Sequence, residues 1–171
     1  KKRYGNEAIF DAVQRVKDAG IYPMGNYIYG LPDDTPASMQ QTLDLAKELK
    51  TPWYNGYAAL AYPGAPLYIW AKNKGILLPG DKGVPGGWTA YSHHSYYSFP
   101  LPTDKCSNAE VLAFRDRAFN EYFEDQSYLN MLHSQFGQKV VDHVRQMTTH
   151  KIKRRILGDR DFKEYYQQGQ S

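Results

Sequence analysis

Few residues of this chain carry chemistry by type and spacing. His93-His94 stand side by side, as a metal pair or an acid–base pair beside a substrate would. Adjacent residues of extended chain point to opposite sides, so two such histidines rarely meet one metal, and a surface or hydrogen-bonding role is the plainer reading. The single cysteine, Cys106, excludes an internal disulfide framework and any zinc site built on several thiolates. It reads as a structural thiol. Lys151, Lys153, Arg154 and Arg155 form a basic run with no aromatic stacking set, which favours a solvated helix end over a nucleic-acid patch. What remains is a pair of strand-to-turn segments. One is Asn26-Tyr27-Ile28-Tyr29-Gly30-Leu31-Pro32-Asp33-Asp34-Thr35, the other Ala61-Tyr62-Pro63-Gly64-Ala65-Pro66-Leu67-Tyr68. Taken alone, the first fits any strand-to-helix turn.

The elements around these segments follow from periodicity and punctuation. Ile9, Phe10, Val13 and Val16 lie on one helical face after an N-cap at Asn6, and Gly20 ends that helix. Ile21 to Tyr29 reads as a strand. Thr35-Pro36 caps a helix that runs to about Leu49, with Met39, Leu43 and Ala46 inward. Trp53 to Ala61 reads as a second strand, so the unit is β-α-β with parallel strands. Pro66 opens a short helix that Gly75 closes. Residues 76–106 form an irregular loop rich in Gly, Pro, Tyr and Ser, of a length that usually signals function or packing across another surface. Its stretch Tyr91 to Tyr97 either covers a site or packs the tail. Ser107-Asn108-Ala109-Glu110 is a capping box, followed by Val111, Phe114, Ala118, Phe119 and Tyr122 on one face. Two further helical pieces are expected, Tyr128 to Phe136 and the stretch through Val140, Val141, Val144 and Met147. From Gly158 the chain is polar and is expected to fray.

Composition sets the class. The 171 residues make one domain, or one domain with a tail, and 42% are hydrophobic, enough to build a core. A net charge of +3 is too mild to argue for nucleic acid. No apolar run approaches the ~18 residues of a membrane span, and no signal-peptide pattern opens the chain, so a cytoplasmic location is expected. Lys1 to Asn6 leads almost directly into a helix, the start expected of a chain that begins inside a larger fold.

The two strand-to-turn segments resemble the radical S-adenosylmethionine (SAM) superfamily. In that family the fifth barrel strand ends in Ile-x-Gly-Leu-Pro-Gly-Glu-Thr and the sixth commonly in Tyr-Pro-Gly-Thr-x-Leu-Tyr. Both are matched here in order and spacing. The resemblance continues through Tyr91-Ser92-His93-His94-Ser95, Phe99-Pro100-Leu101-Pro102-Thr103 and Phe114-Arg115-Asp116, and so covers residues 1 to about 158. This tail is similar to the branch that often carries an N-terminal cobalamin-binding domain. The chain departs from the family in having Asn26 where a glycine stands and Asp33-Asp34 in place of Gly-Glu. It also lacks the Cys-x-x-x-Cys-x-x-Cys triad that supplies thiolates to a 4Fe-4S cluster.

The resemblance implies an α/β fold made of the last βα units of a partial (β/α) TIM-type barrel, followed by a mainly helical C-terminal tail. Residues 1–75 would be the barrel part, 76–106 the loop and 107–171 the tail. By the same resemblance Ile28 would pack on the adenine of SAM, with Ala61 and Tyr62 at its edge and Asn26 and Gly30 shaping the strand end. A β-branched side chain is stiff and offers a purine a fixed apolar surface, and Gly30 lets the chain turn at the strand end where barrels place their sites. Tyr57, His93 and His94 would stand at the substrate mouth. The cofactors implied are SAM and a 4Fe-4S cluster held by ligands outside this chain, with cobalamin possible in the parent. The partners implied are the N-terminal remainder of the parent, a small-molecule or biosynthetic-intermediate substrate, and a reductant such as flavodoxin or ferredoxin. The parent would cleave SAM reductively to start radical chemistry, while this fragment alone would be inactive. The alternative is a non-catalytic scaffold that binds a partner through its helical tail.

Overall fold

The computed structural model describes residues 5–160. Helix α1 (Asn6–Asp18) starts after an extended Gly5, so Asn6 is its first residue and not its cap. Its apolar stripe, Ile9, Phe10, Val13 and Val16, is only half-buried. Strand β1 (Met24–Tyr29) begins after Pro23, which has no amide to give to a ladder. Helix α2 (Pro36–Leu49) opens on a reciprocal cap between Thr35 and Ser38, with Pro36 at the first helical position, where its missing N–H costs nothing. It ends at Lys50, a left-handed residue with φ 46°. Strand β2 (Trp53–Ala58) lies parallel to β1 in a two-stranded sheet, with Met24 opposite Trp53 and Ile28 opposite Tyr57. It stops three residues before the expected Ala61.

Helix α3 (Pro66–Asn73) follows the second turn. Residues 76–106 are irregular apart from one 3-10 segment, Gly87–Tyr91. Helix α4 (Asn108–Phe123) carries the expected box, Ser107 Oγ accepting from the Glu110 amide while Glu110 accepts from the Ser107 amide. Helices α5 (Gln126–Phe136) and α6 (Gln138–Thr148) complete the helical part, and Asp125 caps α5.

The helical tail is not a separate layer. Helices α2, α4, α5 and α6 enclose one face of the sheet, and the main core joins Tyr29, Tyr54 and Ala58 of the strands to Met39, Leu43, Val111, Tyr122, Tyr128 and Val141. Strand alternation puts Met24, Asn26, Ile28, Trp53, Asn55 and Tyr57 on the opposite face. That face is open: Met24, Ile28 and Trp53 are 55%, 50% and 47% exposed. A smaller core of Ala61, Ala71, Leu78 and Leu101 seats α3 against the loop.

Buried tyrosines bind the two halves. Tyr54 stacks on Tyr122 with ring centres 4.2 Å apart, and its hydroxyl meets that of Tyr29 at 2.8 Å. Tyr122 and Tyr128 donate their hydroxyls to the Thr51 and Pro52 carbonyls at 2.7 and 3.0 Å, satisfying the chain just ahead of β2. Burial pushes all four phenols up, Tyr29 to about 12, so they stay neutral donors. Among the described residues no helix is long and apolar enough to cross a membrane.

Candidate functional site at the strand ends

Both strands end at one cleft of about 440 Å³, walled by Ile28, Leu31, Tyr57, Ala58, Ala59, Leu60, Tyr62, Leu67 and His93. Its position follows from the turns. After Tyr29 the chain reverses at Gly30, whose φ of 82° is left-handed. A Cβ there would also stand 2.3 Å from a Val111 methyl of α4, so the residue must be glycine on both counts. Asp34 fixes the turn. Its Oδ2 accepts from the amides of Gly30 and Leu31 at 3.0 Å each, and its Oδ1 accepts from the Ser38 hydroxyl at 2.8 Å. The acidic residue therefore organises backbone and does not face the cleft. At the second strand, Ala59 N–H donates to Tyr29 C=O and Leu101 N–H to Ala59 C=O, which draws the loop alongside the site.

Four of the residues expected at a site meet in this cleft: Ile28, Tyr57, Tyr62 and His93. Tyr57 and His93 pack ring to ring at 5.1 Å, and Tyr62 stacks on Tyr91 at 5.4 Å. His93 is half-buried, and its Nδ1 is shielded from solvent without a hydrogen-bond partner. Burial, with Arg115, His94 and Arg154 nearby, holds its pKa down to about 4, so the ring is neutral at physiological pH.

The other expected residues sit elsewhere. His94 lines a separate groove of about 290 Å³ with Arg115, Asp116 and Lys151. Asn26 lies on the open sheet face, where its Oδ1 accepts from Asn55 Nδ2 at 3.0 Å. Gly30 is buried under α4 and acts through its backbone, while Ala61 is buried in the smaller core. Cys106 is buried in the main core, away from the cleft. Among the described residues no three His, Cys, Asp or Glu side chains gather to hold a metal ion. The cleft walls are mainly aliphatic and aromatic, a lining suited to apolar or aromatic groups. The described residues offer one thiol and no ligand set for an iron–sulfur cluster.

Sequence reasoning missed two parts. Asp34 was visible as an acidic residue four positions after a turn glycine. The other is a buried ionic network of Arg115, Asp116 and Arg154. The basic run was expected to be a solvated helix end, yet Arg154 is fully buried and lies outside any helix, just ahead of a 3-10 turn at Arg155–Leu157. The partner that draws it inward, Asp116, is 38 residues away, too far for local pattern to show.

No known family profile matches the chain. The chain is similar to an uncharacterized methyltransferase of Pyrococcus horikoshii, with 34% identity over 68 residues, which is 40% of this chain and 15% of that protein. The chain thus spans less than a sixth of the relative that it matches.

Proposed function

We propose that the chain is the C-terminal part of a radical SAM enzyme, and that the cleft at its strand ends seats the adenosine of SAM. The observation that carries this reading is the two-faced sheet. Helices cover one face, while the other leaves Met24, Asn26, Ile28 and Trp53 largely exposed, with Phe136 of α5 reaching Trp53 and His93 of the loop packed on Tyr57. A barrel strand has helices outside and packs its other side chains into the barrel interior. Strands β1 and β2 with α2 and α3 therefore make the last βα units of a partial barrel, and the missing strands would close over the open face. Parallel sheets owe their stability to cover on both faces, so the uncovered face asks for more chain.

In this reading Ile28 packs against the adenine, and the backbone at Ala61-Tyr62 holds its edge. Tyr57 and His93 shape the substrate side. When bound with a 4Fe-4S cluster, SAM would supply a radical that abstracts hydrogen from a substrate. The cluster's ligands would come from chain outside these residues, where a cobalamin domain would also lie. The similarity to a named methyltransferase supports a SAM-using parent. The scaffold alternative is less favoured, because most apolar residues of α4, α5 and α6 are buried in the core, although Trp53, Phe136, Val140 and Met147 line an apolar groove of about 320 Å³ beside β2.

The test is anaerobic reconstitution of the protein extended upstream of Lys1, followed by iron analysis and assay of 5′-deoxyadenosine formed from SAM under reduction. Near four irons per chain and reductant-dependent 5′-deoxyadenosine are expected. An extended protein with neither would remove the reading.

A further inference from the structure

Among the described residues Arg154 is the largest side chain wholly shielded from solvent. Its Nε and Nη2 grip the Asp116 carboxylate at 2.7 and 2.9 Å, and its Nη1 donates to the Ser95 carbonyl at 2.9 Å. The backbone follows the side chain. Arg154 N–H donates to Asp159 Oδ2 at 2.9 Å, Arg155 N–H to Tyr96 C=O at 2.9 Å, and the Tyr96 hydroxyl to Asp159 C=O at 2.7 Å. Asp116 is bound in turn by Arg115 Nη1 at 3.0 Å, and Arg115 Nε donates to Gly56 C=O of β2 at 2.8 Å.

That last bond closes a circuit. Ala59 N–H points to β1, and successive residues of a strand direct their backbone N–H and C=O to opposite sides, so Gly56 C=O, three residues earlier, points away from β1. Arg115 therefore caps the outer edge of β2 and anchors Asp116, which anchors Arg154, which holds Ser95. His93 lies two residues before Ser95 and packs on Tyr57, the residue after Gly56. Desolvating a guanidinium and a carboxylate is costly, and only a complete two-pronged geometry offsets it. A loose surface arm would keep Arg154 in water.

Resting on the reading of the cleft as an adenosine seat, we propose that Arg154 is a positioning residue: residues 154–159 form a strap that holds the 93–96 segment, so that His93 stays packed on Tyr57 as a wall of the cleft. The groups that face His93 are Tyr57 from β2, Arg115 from α4, Arg154 from the strap and its neighbour His94.

The experiment is NMR of the protein extended upstream of Lys1, with 13C-labelled histidine, His93 being assigned through His93→Gln. Arg154→Lys keeps the charge but cannot grip Asp116 with two prongs and also reach Ser95. The strap predicts that the His93 titration midpoint rises by about one unit or more as the ring gains water. The cross-relaxation between His93 and the Tyr57 ring should weaken while that between Tyr54 and Tyr122 persists. Arg154→Met would raise the midpoint through loss of charge even without a strap, so the lysine variant is the diagnostic one. Tyr96→Phe, which removes the hydroxyl that donates to Asp159, should shift His93 the same way by less, and it decides the matter if Arg154→Lys does not fold. An unchanged midpoint and unchanged His93–Tyr57 contact in a folded Arg154→Lys, or in Tyr96→Phe should the first not fold, overturns the proposal. Neither measurement uses SAM, so a cleft that fails to bind SAM leaves this result standing.

Discussion

Ile28 and Tyr57 face each other across the strand pair, on the side of the sheet that no helix covers. Each belongs to a strand whose alternate residues lie in the core, Tyr29 after one and Ala58 after the other. The pair is therefore held rigidly from behind while its own side chains stay available in front. A ligand surface built on strands in this way is fixed more closely than one built on a loop.

That placement gives the first prediction. In the protein extended upstream, Ile28→Asp should weaken SAM binding at least tenfold, about 1.4 kcal/mol, because an unpaired carboxylate would stand against the purine in an apolar cleft. Cluster content should change little. Equilibrium dialysis with labelled SAM and iron analysis measure both, and unchanged SAM affinity in a folded variant would end the adenine assignment.

The Gly30 turn gives the second. Gly30→Ala places a methyl in the left-handed region and drives it into Val111, so a loss of roughly 2 kcal/mol or more is expected. In Gly30→Ala/Val111→Ala the clash is relieved and the backbone strain remains. The double variant should therefore lose less than the sum of the two single losses. Urea unfolding of the four proteins decides this, and strict additivity would show that the close approach to Val111 carries no energy.

How far the sequence was legible depends on the range of each interaction. The Thr35-Pro36 start, the Ser107–Glu110 box and the inward faces of α2 and α4 were read correctly, because caps and helical periodicity are local. The second strand was drawn too long, since Ala59, Leu60 and Ala61 are buried and apolar like a strand but turn away from β1 into the cleft wall and the smaller core. His94 was placed with His93 at the substrate mouth, yet it lines a separate groove, because the two adjacent side chains diverge. Arg154 was misread for the opposite reason. Its burial is decided by Asp116 and Ser95, partners that the topology brings together, and a run of basic residues otherwise reads as surface. The tyrosine stack was hidden in the same way: Tyr122 was placed on the apolar face of its helix and Tyr54 within its strand, and only the packing of α4 on β2 makes them neighbours.

The third prediction concerns pH. His93 has its pKa held down to about 4, first by burial and then by Arg115, His94 and Arg154, against an ordinary value of about 6.5. The fold therefore favours the neutral ring, and the unfolded chain binds the proton more readily. This contribution to stability is fully present above about pH 6.5 and is lost as pH falls towards 4. His93→Gln does not titrate and should show a flatter stability profile across that window. Thermal unfolding of both proteins from pH 4 to 7 makes the comparison, and parallel profiles would mean that His93 titrates normally.

The last prediction concerns the open face. Two parallel strands leave both outer edges of the sheet without a further strand, although Arg115 caps one carbonyl of β2. The uncovered face adds Met24, Ile28 and Trp53, and Tyr22 packs against Trp53 and Phe136 at its lower rim. Unpaired edges and contiguous apolar surface recruit other chains. The helices cannot relieve this, because they already sit on the other face. The chain alone should therefore unfold at low temperature or self-associate, and joining it to the preceding part of its parent should raise the transition and remove the association. Thermal unfolding with and without that part, together with light scattering, measures the difference. A monodisperse monomer with a sharp cooperative transition in isolation would show that these residues are self-sufficient, and the partial-barrel reading would have to be given up.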